Sequence, residues 1–278
     1  MSHGVTLLDG PMGSELEARG IVLEAPEWTA SAVRDHPETV RAVHADYASA
    51  GVDVHTTATF RTTARTLGSR QEDLDWRRLV KQAVNLCREG AGPKARVAGS
   101  IAPLEDCYRP DLTPDDQALA QEHDNLARCL VDAGVDLLLV ETIPTLRELA
   151  AAVHAAAMTG LPVWAAVTLG PEGDYFPGDD ILRAAAIAAE EGAQAFLINC
   201  TAAPLVTPNL ERLEPFAERP PVLGAYANTI FPGDPGITPE AYTREAARWV
   251  ESGADIIGGC CGTTTAHTLA LCEAFGKV

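Results

Sequence analysis

The stretch Ala133-Gly134-Val135-Asp136-Leu137-Leu138-Leu139-Val140-Glu141-Thr142 contains, in order, the end of a helical segment, a glycine turn and a strand whose four residues before Glu141 are all apolar. A glycine that ends a helix just before a continuously apolar strand is typical of parallel sheets, whose strands are buried on both faces. The same order recurs at Ala50-Gly51-Val52-Asp53, at Glu191-Gly192-Ala193 and at Ser252-Gly253-Ala254-Asp255. The sequence therefore predicts an α/β protein with a parallel sheet.

Eight short apolar segments alternate along the chain with segments of helical periodicity. The predicted strands are residues 6–9, 52–60, 96–102, 135–142, 162–169, 195–200, 221–228 and 254–261. The predicted helices include residues 37–48, 76–89, 114–132, 146–158, 181–190 and 239–251. Eight strands that are each followed by a crossover, with no long linker, predict a single (β/α)8 TIM barrel that covers residues 1–278 as one domain. A doubly wound open sheet is the alternative, because it shows the same alternation with fewer strands.

The composition indicates a globular protein with a strong acidic excess. Of the 278 residues, 46% are hydrophobic and 22% are charged, which is enough apolar material for a buried core. The formal net charge of -18 repels phosphate backbones and anionic lipids, so we expect neither nucleic acid nor a membrane surface as a partner. No apolar run approaches the ~20 residues that span a bilayer, and residues 1–10 lack the features of a signal peptide, which favours a cytoplasmic protein. The seven cysteines, an odd number, favour reduced thiols over a disulfide framework.

The predicted strand ends carry most of the chemically useful side chains. In a TIM barrel these ends meet at one mouth, where the loops that follow the strands converge. The sixth strand ends in Cys200 and the eighth in Cys260 and Cys261, whereas the first and fourth strands end in Asp9 and Glu141. We therefore expect three cysteines and two carboxylates to face one opening. The second, third and seventh strands add hydroxyl and amide groups at their ends, namely Thr59, Ser100 and Asn228.

Cys200, Cys260 and Cys261 together predict a zinc site. Three thiolates suit zinc, and three protein ligands leave the open position that a catalytic site requires. Adjacent residues on a regular strand point to opposite faces, so the backbone has to bend at the cysteine pair, and the glycines within residues 258–262 permit such a bend. The alternative is that these glycines form a nest for a phosphate group, as in barrels that bind phosphate after strands seven and eight.

Glu141 and Asp9 are the candidate acidic groups. Glu141 emerges from a buried strand at the mouth, where it either binds a ligand or caps the following helix. Asp9 precedes Gly10, so a role in a turn is the alternative to ligand binding. Together the two carboxylates are suited to hold an ammonium group. None of the three lysines falls at a strand end, which argues against a Schiff-base mechanism.

The remaining cysteines and histidines predict structural roles. Four cysteines are expected to pack as small hydrophobes, namely Cys87, Cys107, Cys129 and Cys272. Five histidines are expected to be solvated, namely His3, His36, His44, His123 and His154. His55 lies inside the second strand and is expected to be packed, whereas His267 is a candidate fourth metal ligand.

Four motifs together resemble a known family. They are Asp9-Gly10-Pro11-Met12-Gly13, Glu141-Thr142-Ile143-Pro144, Asn199-Cys200 and Gly258-Gly259-Cys260-Cys261-Gly262-Thr263. The chain resembles, over essentially its whole length, the zinc-dependent homocysteine S-methyltransferase family. The barrel of that family also forms the homocysteine-binding part of cobalamin-dependent methionine synthase and of betaine-homocysteine methyltransferase. The resemblance implies methyl transfer to the thiolate of L-homocysteine, which gives methionine.

The resemblance also implies roles for individual residues. It implies that Cys200, Cys260 and Cys261 bind Zn2+. It implies that Asp9 and Glu141 hold the amino-acid end of homocysteine and so take part in catalysis. The further positions expected to bind homocysteine are Gly10, Met12, Thr59, Ser100 and Asn228.

The methyl donor is predicted to be S-methylmethionine, which requires no additional domain. The stretch Glu27-Trp28-Thr29-Ala30 is similar to an aromatic-containing loop of family members that use this donor, with Trp28 facing the sulfonium through a cation–π contact. Betaine is less favoured, because betaine users carry an aromatic residue where this chain has Thr142. Residues 56–60 and 227–229 look closer to the methionine-synthase barrel, so a corrinoid or folate donor delivered by a partner protein stays open.

Two further interpretations stay open on the residues alone. A phosphate-binding barrel that acts on a small sugar or acid would use the glycine-rich end of the eighth strand. A non-catalytic protein would bind zinc or homocysteine without turning over a substrate.

Overall fold

The computed structural model describes residues 4–68, 76–170, 173, 175, 179–229 and 236–276. Its centre is a sheet of eight parallel strands that alternate with helices. The strands are β1 Thr6–Leu7, β2 Val54–Thr56, β3 Arg96–Ile101, β4 Leu137–Ile143, β5 Val163–Val167, β6 Ala195–Ala202, β7 Val222–Asn228 and β8 Ala254–Gly259. The α-helices are α1 Met12–Ala18, α2 Thr29–Asp35, α3 Pro37–Ala50, α4 Ala64–Leu67, α5 Trp76–Ala91, α6 Asp116–Ala133, α7 Leu146–Ala157, α8 Ile181–Glu190, α9 Ala203–Leu213, α10 Pro239–Glu251 and α11 Thr265–Phe275.

The sheet closes on itself. The strands pair in the order β1-β8-β7-β6-β5-β4-β3-β2, and the first strand then meets the second. Leu8 forms a parallel bridge with Val54, and the backbone N–H of Asp9 donates to the Val54 carbonyl at 3.1 Å. The predicted (β/α)8 TIM barrel is therefore confirmed, and the open doubly wound sheet is excluded.

Two apolar layers explain why the strands are continuously apolar. Side chains from around the barrel fill its interior, and Leu137 and Leu139 of β4 belong to this inner layer. Leu138 and Val140 of the same strand belong to the outer layer, between the strands and the helices. Because successive residues of a strand point to opposite faces, both faces of β4 need apolar side chains.

The predicted helices agree with the structure to within two residues at each end. The six predicted helices do not include α1, α2, α4, α9 and α11; α1 and α2 are inserted between β1 and α3 and contribute to the mouth of the barrel. Gly134, which ends α6, has a φ of 91°, the left-handed conformation that the glycine turn requires. No helix within the described ranges is long and apolar enough to span a bilayer.

Seven of the eight strands end at a residue other than the predicted one: β1 ends at Leu7 and β6 at Ala202, and the differences at β2 and β8 also bear on the site. β2 spans Val54–Thr56 rather than residues 52–60, because only these three residues pair with β3. β8 ends at Gly259, so Cys260 and Cys261 lie on the loop that follows the strand. Hydrogen bonds from neighbouring strands set these ends, and the apolar pattern does not report them.

The expectation that the helix histidines are solvated is wrong for His44 and His123, both of which are fully buried. His44 lies one turn from Val40 on the inward face of α3, and His123 Nε2 lies 3.2 Å from Glu148 Oε1. The structure confirms three other predictions, since His36 and His154 are exposed and His55 is buried. His3 lies outside the described residues. The four cysteines predicted to pack are all buried, namely Cys87, Cys107, Cys129 and Cys272.

Candidate active site

A cavity of about 690 Å³ opens at the carboxyl ends of the strands. Its wall includes nine of the eleven predicted site residues, namely Asp9, Gly10, Met12, Trp28, Ser100, Glu141, Cys200, Cys260 and Cys261. Thr59 is fully buried outside this wall and donates its hydroxyl to the Ser100 carbonyl at 2.8 Å. Asn228 is also absent from the wall, and its Oδ1 has no hydrogen-bond partner in the described part of the chain. The predicted contacts of Thr59 and Asn228 with homocysteine stay predictions.

Three thiols meet at one point of the cavity wall. Cys200 Sγ lies 2.9 Å from Cys260 Sγ and 4.0 Å from Cys261 Sγ, and the three sulfur atoms lie within 4.8 Å of one another. A tetrahedral zinc ion with Zn–S bonds of ~2.3 Å requires S···S distances of about 3.8 Å, so Cys200 and Cys260 would have to move apart by about 0.9 Å to hold one. With that adjustment the three thiols can hold a zinc ion that keeps one coordination position open.

Cys200 reaches the cavity because its backbone leaves regular strand geometry. Leu197 points into the barrel, so strict alternation would place Cys200 on the outer face of β6. The φ of Cys200 is 50°, and the pairing of β6 with β7 shifts register at this point, as in a β-bulge. The Cys200 carbonyl accepts hydrogen bonds from the Thr168 hydroxyl at 3.1 Å and the Tyr108 hydroxyl at 3.2 Å, which hold the bulge. The Cys200 side chain consequently belongs to the inner layer.

A matching irregularity follows Glu141 in β4. Thr142 has a φ of 62°, and the pairing of β4 with β5 shifts register there. Asn199 joins the two bulges, because its Oδ1 accepts the Thr142 N–H at 3.1 Å and its Nδ2 donates to Thr142 Oγ1 at 2.7 Å. Asn199, which precedes Cys200, and Thr142, which follows Glu141, are therefore hydrogen-bonded directly to each other.

Cys260 and Cys261 lie in the turn after β8. The Cys260 N–H still donates to the Ala227 carbonyl of β7, whereas Gly262 has a φ of 82°. A side chain in place of Gly259 would collide with Thr263 Oγ1, so the turn requires a glycine there too. This turn brings both thiols to the same wall, and the predicted bend is confirmed.

The backbone of this turn is not available as a phosphate nest. The N–H groups of Gly259, Cys260, Gly262 and Thr263 all donate to acceptors of the protein itself. His267 is not part of the thiol cluster either, because its ring nitrogens contact the N-cap of its own helix and a backbone carbonyl before α10. The geometry favours a metal over a phosphate at the end of β8.

The thiols differ in acidity. Hydrogen bonds with Cys200 and Cys260 lower the pKa of Cys261 well below its usual range. Hydrogen bonds with Cys260 and Cys261, together with burial, raise the pKa of Cys200. Cys261 is therefore the most acidic of the three thiols, and a divalent cation would favour ionisation of all three.

Glu141 is buried and accepts two hydrogen bonds. Ser100 Oγ donates to its Oε1 at 2.5 Å, and the Tyr226 hydroxyl donates to its Oε2 at 3.0 Å. Burial raises the pKa of Glu141 to about 6, although both hydrogen bonds act in the opposite direction. Thr145 caps the helix that follows, so the alternative role of Glu141 as a helix cap is excluded.

Asp9 is buried beside two imidazoles. Its Oδ2 accepts the Thr56 N–H at 2.8 Å, and Asp9, His44 and His55 each place one metal-ligand-type atom within 4.8 Å of the others. Burial raises the pKa of Asp9 to about 8, and it lowers the pKa of His44 to about 3 and that of His55 to about 4. Neither ring nitrogen of His44 has a hydrogen-bond partner among the described residues. Both imidazoles are therefore neutral at physiological pH, and we call these three residues the histidine cluster.

An aromatic pair forms another part of the cavity wall. The rings of Trp28 and Phe60 have centroids 5.8 Å apart and planes at 80°. Gly13 makes room for Trp28, because a Cβ on Gly13 would approach the indole to 2.7 Å. The guanidinium of Arg61 lies over the Phe60 ring, 5.2 Å from its centroid. Trp28, the predicted donor-binding residue, thus packs against Phe60, and Phe60 in turn contacts Arg61; neither partner was predicted as a site residue.

Two tyrosines of the site were also missed. Tyr226 points into the barrel two residues before the end of β7, which is a position that strand alternation from Asn228 could have indicated. Tyr108 lies on the loop after β3, and no sequence pattern marks its contact with Cys200.

The family model that describes homocysteine S-methyltransferases matches residues 6–275. The chain belongs to the homocysteine S-methyltransferase family. A homocysteine S-methyltransferase from Escherichia coli is 32% identical, with 96% of this chain and 94% of that protein aligned. One from Bacillus subtilis is 29% identical, with 94% and 91% aligned.

A solved structure of the homocysteine methyltransferase from Escherichia coli, in its metallated form, has a TM-score of 0.86 to this chain. The two chains are 30% identical, and the superposition covers 98% of this chain and 97% of the other. A metallated member of the homocysteine S-methyltransferase family is thus known on the same fold.

Proposed function

We propose that the protein transfers a methyl group to the thiol of L-homocysteine to give methionine, with zinc as its metal and S-methylmethionine as the donor. The observation that carries this proposal is the meeting of three thiols with two buried carboxylates in one cavity. Homocysteine carries the complementary groups, since it has a thiol at one end and an ammonium group at the other.

Cys200, Cys260 and Cys261 would hold the zinc ion. Thiolates select zinc over hard cations, and three of them leave one position for the sulfur of the substrate. When bound, zinc supplies the nucleophile, because coordination deprotonates a thiol whose ordinary pKa is about 8.5. Reduced thiols persist in a reducing compartment, so we infer that the protein works in the cytoplasm.

Asp9 and Glu141 would bind the α-ammonium group of homocysteine. Burial raises the pKa of both carboxyl groups by disfavouring their ionised forms, and a nearby cation lowers it again. Ser100 and Tyr226 would hold Glu141 in one orientation through their hydrogen bonds. The neutral imidazoles of the histidine cluster leave Asp9 without a competing positive charge.

The chemical step is a displacement at the methyl carbon. A lone pair of the homocysteine thiolate forms the new S–C bond while the bond between the methyl group and the sulfonium sulfur breaks. The electron pair of that bond stays on the leaving sulfur, which becomes a neutral thioether. S-methylmethionine and homocysteine therefore give two molecules of methionine. Trp28 and Phe60 would face the sulfonium before transfer.

The test incubates zinc-loaded protein with homocysteine and, separately, with S-methylmethionine, betaine and a methylated corrinoid, and measures methionine by mass spectrometry. Methionine from S-methylmethionine supports the proposal. Methionine from the corrinoid alone would assign delivery of the methyl group to a partner protein. No methionine from any donor would refute the proposed activity and favour a protein that binds zinc or homocysteine without turnover.

A further inference from the structure

Arg61 is a cation on the cavity wall that has no counter-ion in the described part of the chain. It follows Phe60 on the loop after β2, and no carboxylate lies within ion-pair distance of it among the residues that the structure describes. The chain contains 39 acidic residues against 21 basic ones, so counter-ions are abundant. An arginine that faces a cavity without one of them has a charge available for a ligand.

The guanidinium of Arg61 is held in place by groups that do not neutralise it. Its Nη1 donates to the carbonyl of Glu105 at 2.9 Å and to that of Pro103 at 3.4 Å. Its planar face lies over the ring of Phe60. Guanidinium carries five N–H donors, and no described residue accepts from Nε or Nη2 of Arg61, so these hydrogens can meet the two oxygens of a carboxylate.

Arg65 provides a contrast on the same wall. Its Nη1 lies 2.8 Å from Glu105 Oε1, and its Nη2 lies 2.6 Å from Glu122 Oε1. Two carboxylates therefore compensate the charge of Arg65, which leaves it little capacity to bind a further anion. The cavity wall thus carries one compensated arginine and one uncompensated arginine.

We propose that Arg61 binds the carboxylate of the methyl donor, so that the protein selects zwitterionic onium donors over donors that carry only positive charge. This inference rests on the proposed methyl transfer and specifies its donor class. The aromatic pair would face the onium group, and Arg61, directly above one ring of that pair, would hold the carboxylate at the other end of a short carbon chain.

Arg61 lies on the donor side of the cavity. Homocysteine would be fixed by the thiol cluster at one end and by Asp9 and Glu141 at the other. Arg61 forms an ion pair with neither carboxylate, and its contacts are with Phe60 and the loop after β3. Because Arg61 stacks on the aromatic pair, we assign it the carboxylate of the donor and not that of homocysteine.

The test compares wild type with Arg61→Gln on two donors, S-methylmethionine and 3-aminopropyl dimethylsulfonium, which lacks only the carboxylate. Loss of a bidentate charged contact should raise KM for S-methylmethionine about 10- to 100-fold in Arg61→Gln. KM for homocysteine and for the carboxylate-free donor should change by less than about twofold, because neither interacts with Arg61. Arg61→Lys should recover part of the loss, since it keeps the charge but not the planar fork.

The matched control is Arg109→Gln, which removes the same charge from an exposed arginine on the loop after β3. It should leave both donors unaffected, and thermal melting shows whether each variant is folded. A rise in KM for homocysteine instead of the donor, or an equal loss with both donors, would overturn the inference. Turnover with a corrinoid alone would also overturn it, whereas absence of methionine from wild type with every donor would refute the proposed function itself.

Discussion

Binding of an amino acid between Asp9 and Glu141 should release protons from the protein. At pH 7 a carboxyl group with a pKa of about 8 is about 90% protonated, and one with a pKa of about 6 is about 10% protonated. An ammonium group beside both groups favours their ionised forms. Binding at pH 7 should therefore release about one proton, nearly all of it from Asp9.

The same values give the pH dependence. At pH 6 the release should rise to about 1.5 protons, because Glu141 is then half protonated, and at pH 8 it should fall to about 0.5. Since ionisation precedes binding, affinity should increase as the pH rises from 6 to 8. Affinity rises with pH because the pKa of each carboxyl group is raised in the free protein, so each group must lose its proton before it can bind the ammonium group.

The assay is calorimetric titration of zinc-loaded protein with methionine in two buffers that differ in ionisation enthalpy. Methionine carries the same ammonium group as homocysteine and has no thiol whose ionisation would add protons. Asp9→Asn should abolish most of the release at pH 7, whereas Glu141→Gln should retain most of it. A release that is independent of pH, or one that persists in Asp9→Asn, would refute the assignment of the ammonium site.

Three further variants test other parts of the site. Cys260→Ser should reduce the zinc content, measured by elemental analysis, from about one equivalent per chain to a trace. The control Cys272→Ser should keep the full equivalent. If Cys260→Ser also keeps it, the metal would be bound at the histidine cluster instead. Glu141→Gln should raise KM for homocysteine about 10- to 100-fold with zinc content unchanged, and loss of zinc would contradict its role. Asn199→Ala should lower the free energy of unfolding by about 2–3 kcal/mol and weaken zinc binding, because it removes both hydrogen bonds to Thr142. An unchanged zinc affinity would show that Asn199 does not position Cys200.

The barrel could be predicted because its strands obey a simple constraint. Residues 137–140 are apolar on both faces, which only a parallel strand between two apolar layers requires, and the pattern recurs often enough to close a barrel. The early end of β2 at Thr56 could not be predicted, because it depends on which residues pair with β3. The burial of His44 was missed because its polar side chain suggested exposure, although it lies four residues after Val40 and three before Tyr47 on the apolar face of α3.

The membership of the thiol cluster could be predicted from strand ends, but its geometry could not. A strand period of two places Cys200 on the wrong face of β6, and only the dihedral angle at Cys200 corrects this. Arg61 could not be predicted as a site residue for a related reason. Its significance lies in the absence of a counter-ion among the described residues, and counter-ions such as those of Arg65 come from positions that are distant in the sequence.

The backbone strain at Thr142 and Cys200 is needed to form the site. A non-glycine residue in the left-handed region costs about 1–3 kcal/mol, so the two positions together cost several kcal/mol. Two hydrogen bonds of Asn199 and two to the Cys200 carbonyl, at about 1 kcal/mol each, offset much of that cost. A regular β6 would avoid the strain at Cys200 but would turn its thiol away from the cavity. Two thiols are too few for a zinc site with one open position, so this bulge is a structural condition for the proposed chemistry.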